Sequence, residues 1–383
     1  MKRKQSWRIA LAVSGAFALI VAPSFAVEVS EYPGSNSRHE FRLWDGPNVQ
    51  HELASYSRGA EFTEVGYDSQ SCQASSPGCN TWLWRMEVEG VFLRPNLTDN
   101  PIAFTLSDLQ PASSQTLTSG GADIEGMTLA PRVTFGIRQE SGWGLRARAF
   151  RLSASQDGFN PVTGVGDIGG TSFSRLDMYY MDLEVTRDAC FGSWNVLAAL
   201  GVRHAAIERA ESLSAAGVVD LGGGNVDVIA ASGLASRSFH GTGLTAALQG
   251  TRKAPCRGFS WYWNLRGSFL SGDNDTFSSS SAILSGAFGS ANSFDQALNI
   301  DSDTLFIGEA QLGLEWSREL ACLPGRAFAR FGVEGQYWDA NVGNSTSSSS
   351  ATTVGESLGV IIANQRELEI DMYGLVLGTG LEW

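Results

Sequence analysis

From Trp82 to Trp383 the chain runs in stretches of strand length that alternate apolar and polar or small residues. A period of two puts successive side chains on opposite faces of a strand. The run to Trp383 is the clearest: Tyr373, Leu375, Leu377, Thr379, Leu381 and Trp383 on one face, Gly374, Val376, Gly378, Gly380 and Glu382 on the other. The same pattern predicts a strand near 82–92, with Trp82, Trp84, Met86, Val88 and Phe92 as its apolar face. Further strands follow at 127–138, 143–150, 179–185 and 194–203. The second half repeats the scheme at 244–249, 259–269, 306–316, 327–337 and 373–383. Only the run from Trp143 breaks step: its alternation slips at Phe150, which suggests a bulge.

Ten strands are therefore expected, and their connections alternate in length. Short turns fall near 139–144, 188–193, 254–258 and 321–326. Long polar connections fall near 94–125, 157–173, 211–237, 273–303 and 344–366. Serine-rich tracts such as Ser278–Ser281 and Ser347–Ser350 read as flexible loop. An even number of strands with short turns at one end and long loops at the other is the layout of an outer-membrane barrel. Trp82, Trp143, Trp194, Trp261, Trp316, Tyr337 and Trp383 recur near strand ends, where interfacial aromatic girdles sit. A soluble sandwich would also alternate, but would hide those aromatics in a core. The expectation is an all-β, antiparallel, up-and-down transmembrane β-barrel of about 10 strands, or 12 if residues 27–81 hide a hairpin. Its short turns and both chain ends would be periplasmic and its long loops extracellular.

The N-terminus reads differently. Met1-Lys2-Arg3-Lys4 is basic, Ile9 to Ala22 is apolar, and Pro23-Ser24-Phe25-Ala26 ends on small residues. This is a secretory signal pattern, predicting cleavage after Ala26. Residues 27–81 lack alternation and are expected to form an irregular periplasmic segment, with 82–383 as the barrel. The net charge is −13, and losing Lys2, Arg3, Lys4 and Arg8 takes it to −17, which argues against a nucleic-acid partner. The five cysteines suit an oxidising compartment. Cys72 and Cys79 are placed to close a local disulfide, while Cys190, Cys256 and Cys322, spaced 66 residues apart, each sit in a short turn with their pairing open.

If the apolar faces meet lipid, the other faces line the interior. That places Arg85, Arg132, Arg146, Arg148, Arg203, Arg266 and Arg330 inside, with Glu87, Glu89, Asp182, Glu184, Glu309, Glu315 and Glu334. Such charges must pair or be hydrated. They either line a water-filled channel with a transverse field or fill a narrow lumen as a salt-bridged network. Catalysis finds little support. Only His39, His51, His204 and His240 are available, and His204 and His240 share the lipid-facing parity. The runs Gly272-Asp273-Asn274-Asp275 and Asp301-Ser302-Asp303 could offer oxygens to calcium, but no glutamate closes either at the needed spacing. No cofactor, metal site or enzymatic activity is expected.

Several phrases together resemble one family: Met181-Asp182-Leu183-Glu184-Val185, Ala199-Leu200-Gly201-Val202-Arg203-His204, Gly241-Thr242-Gly243-Leu244, Trp263-Asn264-Leu265-Arg266-Gly267-Ser268-Phe269-Leu270 and Gly308-Glu309-Ala310-Gln311-Leu312-Gly313-Leu314-Glu315. Over roughly residues 80–383 the chain resembles the Legionella-type major outer membrane proteins, a family of pore-forming barrels. The resemblance implies an outer-membrane location and a porin-like role, passive diffusion of small hydrophilic solutes or ions, with the fourteen interior charges as pore lining. The partners it implies are outer-membrane lipid and the barrel-assembly machinery acting on the C-terminal strand, with homo-oligomerisation left open. The acidic stretch before residue 80 does not map onto the family. The rival readings are a closed barrel acting as anchor or adhesin through its loops and, more weakly, a surface hydrolase.

Overall fold

The computed structural model describes residues 82–383, apart from short stretches in the connections, chiefly 98–101, 110–111, 119–123, 163–166, 221–225, 256–257, 286–290, 321–324, 341–344, 354–355 and 366–367. Among the described residues there are fourteen strands. They are β1 (Trp82–Leu97), β2 (Ile102–Leu109), β3 (Ala112–Thr118), β4 (Thr128–Gln139), β5 (Trp143–Val162), β6 (Asp167–Phe191) and β7 (Trp194–Asp220). They continue as β8 (Val226–Lys253), β9 (Phe259–Ser285), β10 (Ala291–Glu319), β11 (Arg326–Ala340), β12 (Ser345–Thr353), β13 (Glu356–Gln365) and β14 (Leu368–Glu382). The predicted signal peptide, the 27–81 segment and the Cys72/Cys79 pair lie outside the described residues, as do Cys256 and Cys322.

Ten strands close a barrel in the order β1-β14-β11-β10-β9-β8-β7-β6-β5-β4, every neighbouring pair antiparallel. This is a transmembrane β-barrel of up-and-down topology. Closure joins β1 to β14, with Arg85 opposite Glu382 and Leu97 opposite Ile370. At the short-turn end the Trp84 amide donates to the Trp383 carbonyl at 2.7 Å, and the Trp383 amide donates back to Trp84 at 3.0 Å. No edge is left in the ring, so every backbone group of the crossing can be paired.

The outward face carries the apolar set. Leu129, Leu145, Leu183, Leu200, Leu244, Leu265, Phe269, Leu312, Phe331, Val333 and Leu377 are all exposed. Exposed leucine and phenylalanine on this scale, in a continuous ring, are stable only against hydrocarbon. Trp82, Trp143, Trp261, Trp316 and Trp383 fringe the ring at the short-turn end, while Phe92, Tyr179, Phe306, Tyr337 and Tyr373 fringe it at the other. Between the fringes each strand makes one crossing of about 9–11 residues, the length a tilted strand needs.

The long connections differ from the sequence expectation. The stretches 157–173, 211–237 and 273–303 are mostly strand, continuing β5 to β10 far past the membrane crossing, so that β10 alone has 29 residues. The Ser278–Ser281 tract is part of β9. The two remaining connections, 94–125 and 344–366, supply β2, β3, β12 and β13, which pair in the order β12-β13-β2-β3 as a separate four-stranded sheet. Ser345, Ser347 and Ser349 of β12 are buried while Thr346 and Ser348 are exposed, a strand alternation in place of a loop. The bulge expected at Phe150 is absent. Phe150 pairs in unbroken register with Arg132 and Tyr180 and points inward, because the interior has an aromatic layer at that level.

Candidate functional site

The interior is built in tiers, and each barrel strand contributes one inward residue in two. Nearest the short turns the inward positions are charged. On β6 they are Asp182 and Glu184, on β7 Arg203, on β9 Arg266, on β10 Glu309 and Glu315, and on β11 Arg330 and Glu334. β1 adds Arg85, Glu87 and Glu89, β4 Arg132, and β5 Arg146 and Arg148. All fourteen charges expected inside thus face inward, and they are brought together as ion pairs.

Two groups can be distinguished. In one, Arg132 donates to Glu89 at 2.5 Å and through both Nη atoms to Glu334 at 2.7 and 2.8 Å. Arg330 joins Glu87 at 2.5 Å to Glu315 at 2.8 Å, with Arg85 3.3 Å from Glu87. In the other, Arg203 makes a fork on Asp182 at 2.6 and 2.8 Å and reaches Glu309 at 2.6 Å. Arg148 donates to Glu309 at 2.8 Å, Arg146 to Glu184 at 2.7 Å, and Arg266 to Glu184. The forked geometry suits guanidinium against carboxylate and is the strong form of such a pair. Arg132 and Arg203 have no exposed surface at all.

Sequence reading missed the uncharged members of this tier. Gln311 and Gln336 each donate to Glu334 at 2.5 Å, and Gln249 accepts from Arg146 at 2.8 Å. Tyr180 lies under two guanidinium groups, Arg203 at 4.0 Å and Arg148 at 5.1 Å from its ring centre, and its hydroxyl donates to Glu309 at 3.2 Å. Tyr262 reaches across glycines: a Cβ on Gly332 would stand 2.5 Å from its hydroxyl, and one on Gly313 2.7 Å from its ring. The signal for these residues was present as inward parity, but their uncharged side chains gave no reason to single them out.

Above the charges lies an apolar tier. Val91, Leu93, Phe150, Leu152, Leu176, Met178, Ile207, Phe239, Leu270, Ile307, Trp338, Ile370 and Met372 form one buried cluster across the lumen. Phe150 stacks on Tyr180 at 4.9 Å between ring centres, and Trp338 closes on Tyr180 at 6.3 Å. A second polar knot follows. Arg237 donates to Asn274 at 3.2 Å and lies 3.5 Å from Asp303, and Asn274 donates to Asp303 at 2.6 Å. Asn274 and Asp303, weighed above as calcium ligands, are turned inward to Arg237, whereas Asp273 and Asp275 are exposed. Beyond the knot, the four-stranded sheet seats Ile102, Phe104, Ile361 and Ala363 against Leu213, Ile229, Ala231 and Leu284 of the extended barrel strands.

His204 lies on the outer face, its Nδ1 3.0 Å from the Thr242 hydroxyl and its Nε2 3.4 Å from that of Tyr179. His240 is likewise exposed on the outward parity of β8. Neither shares a face with the buried carboxylates.

No family model and no curated protein matches the chain. Solved structures do. The outer membrane protease OmpT from Escherichia coli aligns at 10% identity over 81% of this chain and 99% of that one, with a TM-score of 0.35. A FadL homologue from Pseudomonas aeruginosa aligns at 7% identity over 79% and 90%, with a TM-score of 0.21. The TodX deltaS2S3 mutant monoaromatic hydrocarbon channel aligns at 6% identity over 79% and 91%, with a TM-score of 0.22. No residue role passes from these structures to this chain.

Proposed function

We propose that the chain is an outer-membrane barrel whose lumen is closed and whose work is done by the part beyond the membrane: it anchors and displays a β-structured surface formed by the extended strands and the four-stranded sheet. The observation that carries this reading is the filled interior. A salt-bridged tier, an apolar tier, a polar knot and a seated sheet lie in series along the lumen. Passive diffusion of hydrophilic solutes, the role suggested by the resemblance to the Legionella-type pore-forming family, requires a continuous water path. Side chains of the apolar tier lie across that path, and a ten-stranded ring is narrow enough for side chains to fill. Two further points support display. The extended strands reach well past the length a bilayer needs. The exposed polar rows of β12 keep that surface hydrated.

Planar-bilayer recording of the purified protein tests this. A closed anchor gives no ohmic steps at any applied voltage. Reproducible steps that scale with electrolyte concentration would overturn the proposal in favour of a pore.

A further inference from the structure

We propose that the β5–β9 side of the charged tier is a binding site for a small oxyanion of the phosphate type, reached from the short-turn end. The two ion-pair groups are balanced only when taken together. Arg146, Arg148, Arg203 and Arg266 face three acids, Asp182, Glu184 and Glu309. Arg85, Arg132 and Arg330 face four, Glu87, Glu89, Glu315 and Glu334. The cationic excess is accompanied by unmet donors. Arg146 Nη2, Arg148 Nη1, Arg203 Nη1 and Arg266 Nε are buried without a hydrogen-bond partner, and they are the arginine nitrogens so placed among the described residues. A buried guanidinium N–H left unbonded is costly, and several in one place call for an acceptor.

A cavity of about 80 Å³ lies beside two of the four, Arg146 and Arg148, which line it together with Thr134, Thr186, Gln249 and Asn264. Arg148 Nη1 stands 3.8 Å from Asp182, too far for a hydrogen bond. The carboxylates that also line the cavity are already engaged: Glu87 by Arg330 at 2.5 Å, Glu89 by Arg132 at 2.5 Å, and Glu382 by Arg138 at 2.9 Å and Arg326 at 2.8 Å. Two acceptors of this tier, Asn264 Oδ1 and Glu309 Oε1, are also unmet, but the four guanidinium donors outnumber them, so the spare hydrogen-bonding capacity is mainly of donor type. A tetrahedral oxyanion accepts several such bonds at once and matches the guanidinium fork. The barrel wall separates this cavity from lipid, so the ligand is a free anion and not a headgroup.

Equilibrium dialysis of the full chain in detergent against radiolabelled inorganic phosphate, at fixed ionic strength, tests the site. Saturable uptake approaching one phosphate per chain is expected, with Arg146→Gln weakening it about tenfold or more. Because Arg146→Gln also strips a partner from Glu184 and could impair folding, Thr134→Leu serves as a second variant. It fills the cavity without touching an ion pair and should abolish uptake. Uptake that only rises linearly with concentration, or that is unchanged in the folded Arg146→Gln or Thr134→Leu protein, overturns the proposal. This outcome is independent of conductance, so it does not depend on whether the lumen is closed.

Discussion

Arg132 and Arg85 sit on neighbouring strands of the same tier yet differ in what surrounds them. Arg132 has no exposed surface and holds two carboxylates, while the Arg85 side chain is 32% exposed and its pairs run from 3.3 to 4.0 Å. Replacing Arg132 by methionine leaves Glu89 and Glu334 charged and buried, a loss expected to cost about 3–5 kcal/mol. Arg85→Ala removes a partly solvated charge and should cost about 0–1 kcal/mol. Urea unfolding of the refolded protein in lipid or detergent measures both. Near-equal small losses would show a hydrated tier, as a water-filled lumen requires. The charged tier is also where the sequence was most legible. Parity alone placed all fourteen charges inside, because a charge on a lipid-facing position carries a large penalty and the alternation is therefore kept. Which charges would pair was not legible, since partners such as Arg132 and Glu334 are 202 residues apart.

At the scale of the elements, the outer apolar faces were readable and the strands beyond the membrane were not. Within the crossing, one face meets lipid, and the alternation of β14 or β9 is correspondingly sharp. Above it both faces of β9 carry serine, with Ser278 and Ser280 buried and Asp273 and Asp275 exposed, so no contrast of hydropathy marks the strand. Phe150 misled for the opposite reason: an inward aromatic reads as a broken alternation when the interior is assumed polar throughout. The seating of the four-stranded sheet depends on one small residue of β8. A Cβ on Gly233 would stand 2.7 Å from Ile102 Cγ2 and 3.0 Å from Ile361 Cδ1. Gly233→Val should lift the sheet while leaving the barrel strands paired. Limited proteolysis is then expected to cut between β2 and β3 at least several-fold faster than in the parent, with the β6–β10 region still protected. Equal cleavage rates would mean the sheet is held elsewhere, for instance by Ser349, whose hydroxyl donates to the Ser280 carbonyl at 2.8 Å.

For the whole molecule the question is which tier closes the lumen. The seated sheet is the outermost barrier, and it comes entirely from the two connections between β1 and β4 and between β11 and β14. Both can be shortened without touching a barrel strand. Replacing residues 98–123 and 341–366 by short turns removes β2, β3, β12 and β13 but leaves Phe150, Phe239, Trp338 and Met372 packed across the lumen below. It also leaves Arg203 forked on Asp182 beneath them. The apolar tier is hydrocarbon and aromatic, and the Trp338 indole N–H is already given to Gln336, so the tier offers a permeating ion little to exchange its hydration against; crossing it dry carries the penalty of an unpaired charge in a low-dielectric interior. The shortened protein should therefore stay silent in planar bilayers, as the parent should. Opening is expected only when the apolar tier itself is thinned, as by Trp338→Ala together with Phe239→Ala in the shortened background. Ohmic steps from the shortened protein alone would place the barrier in the sheet and make that sheet the gate of a channel.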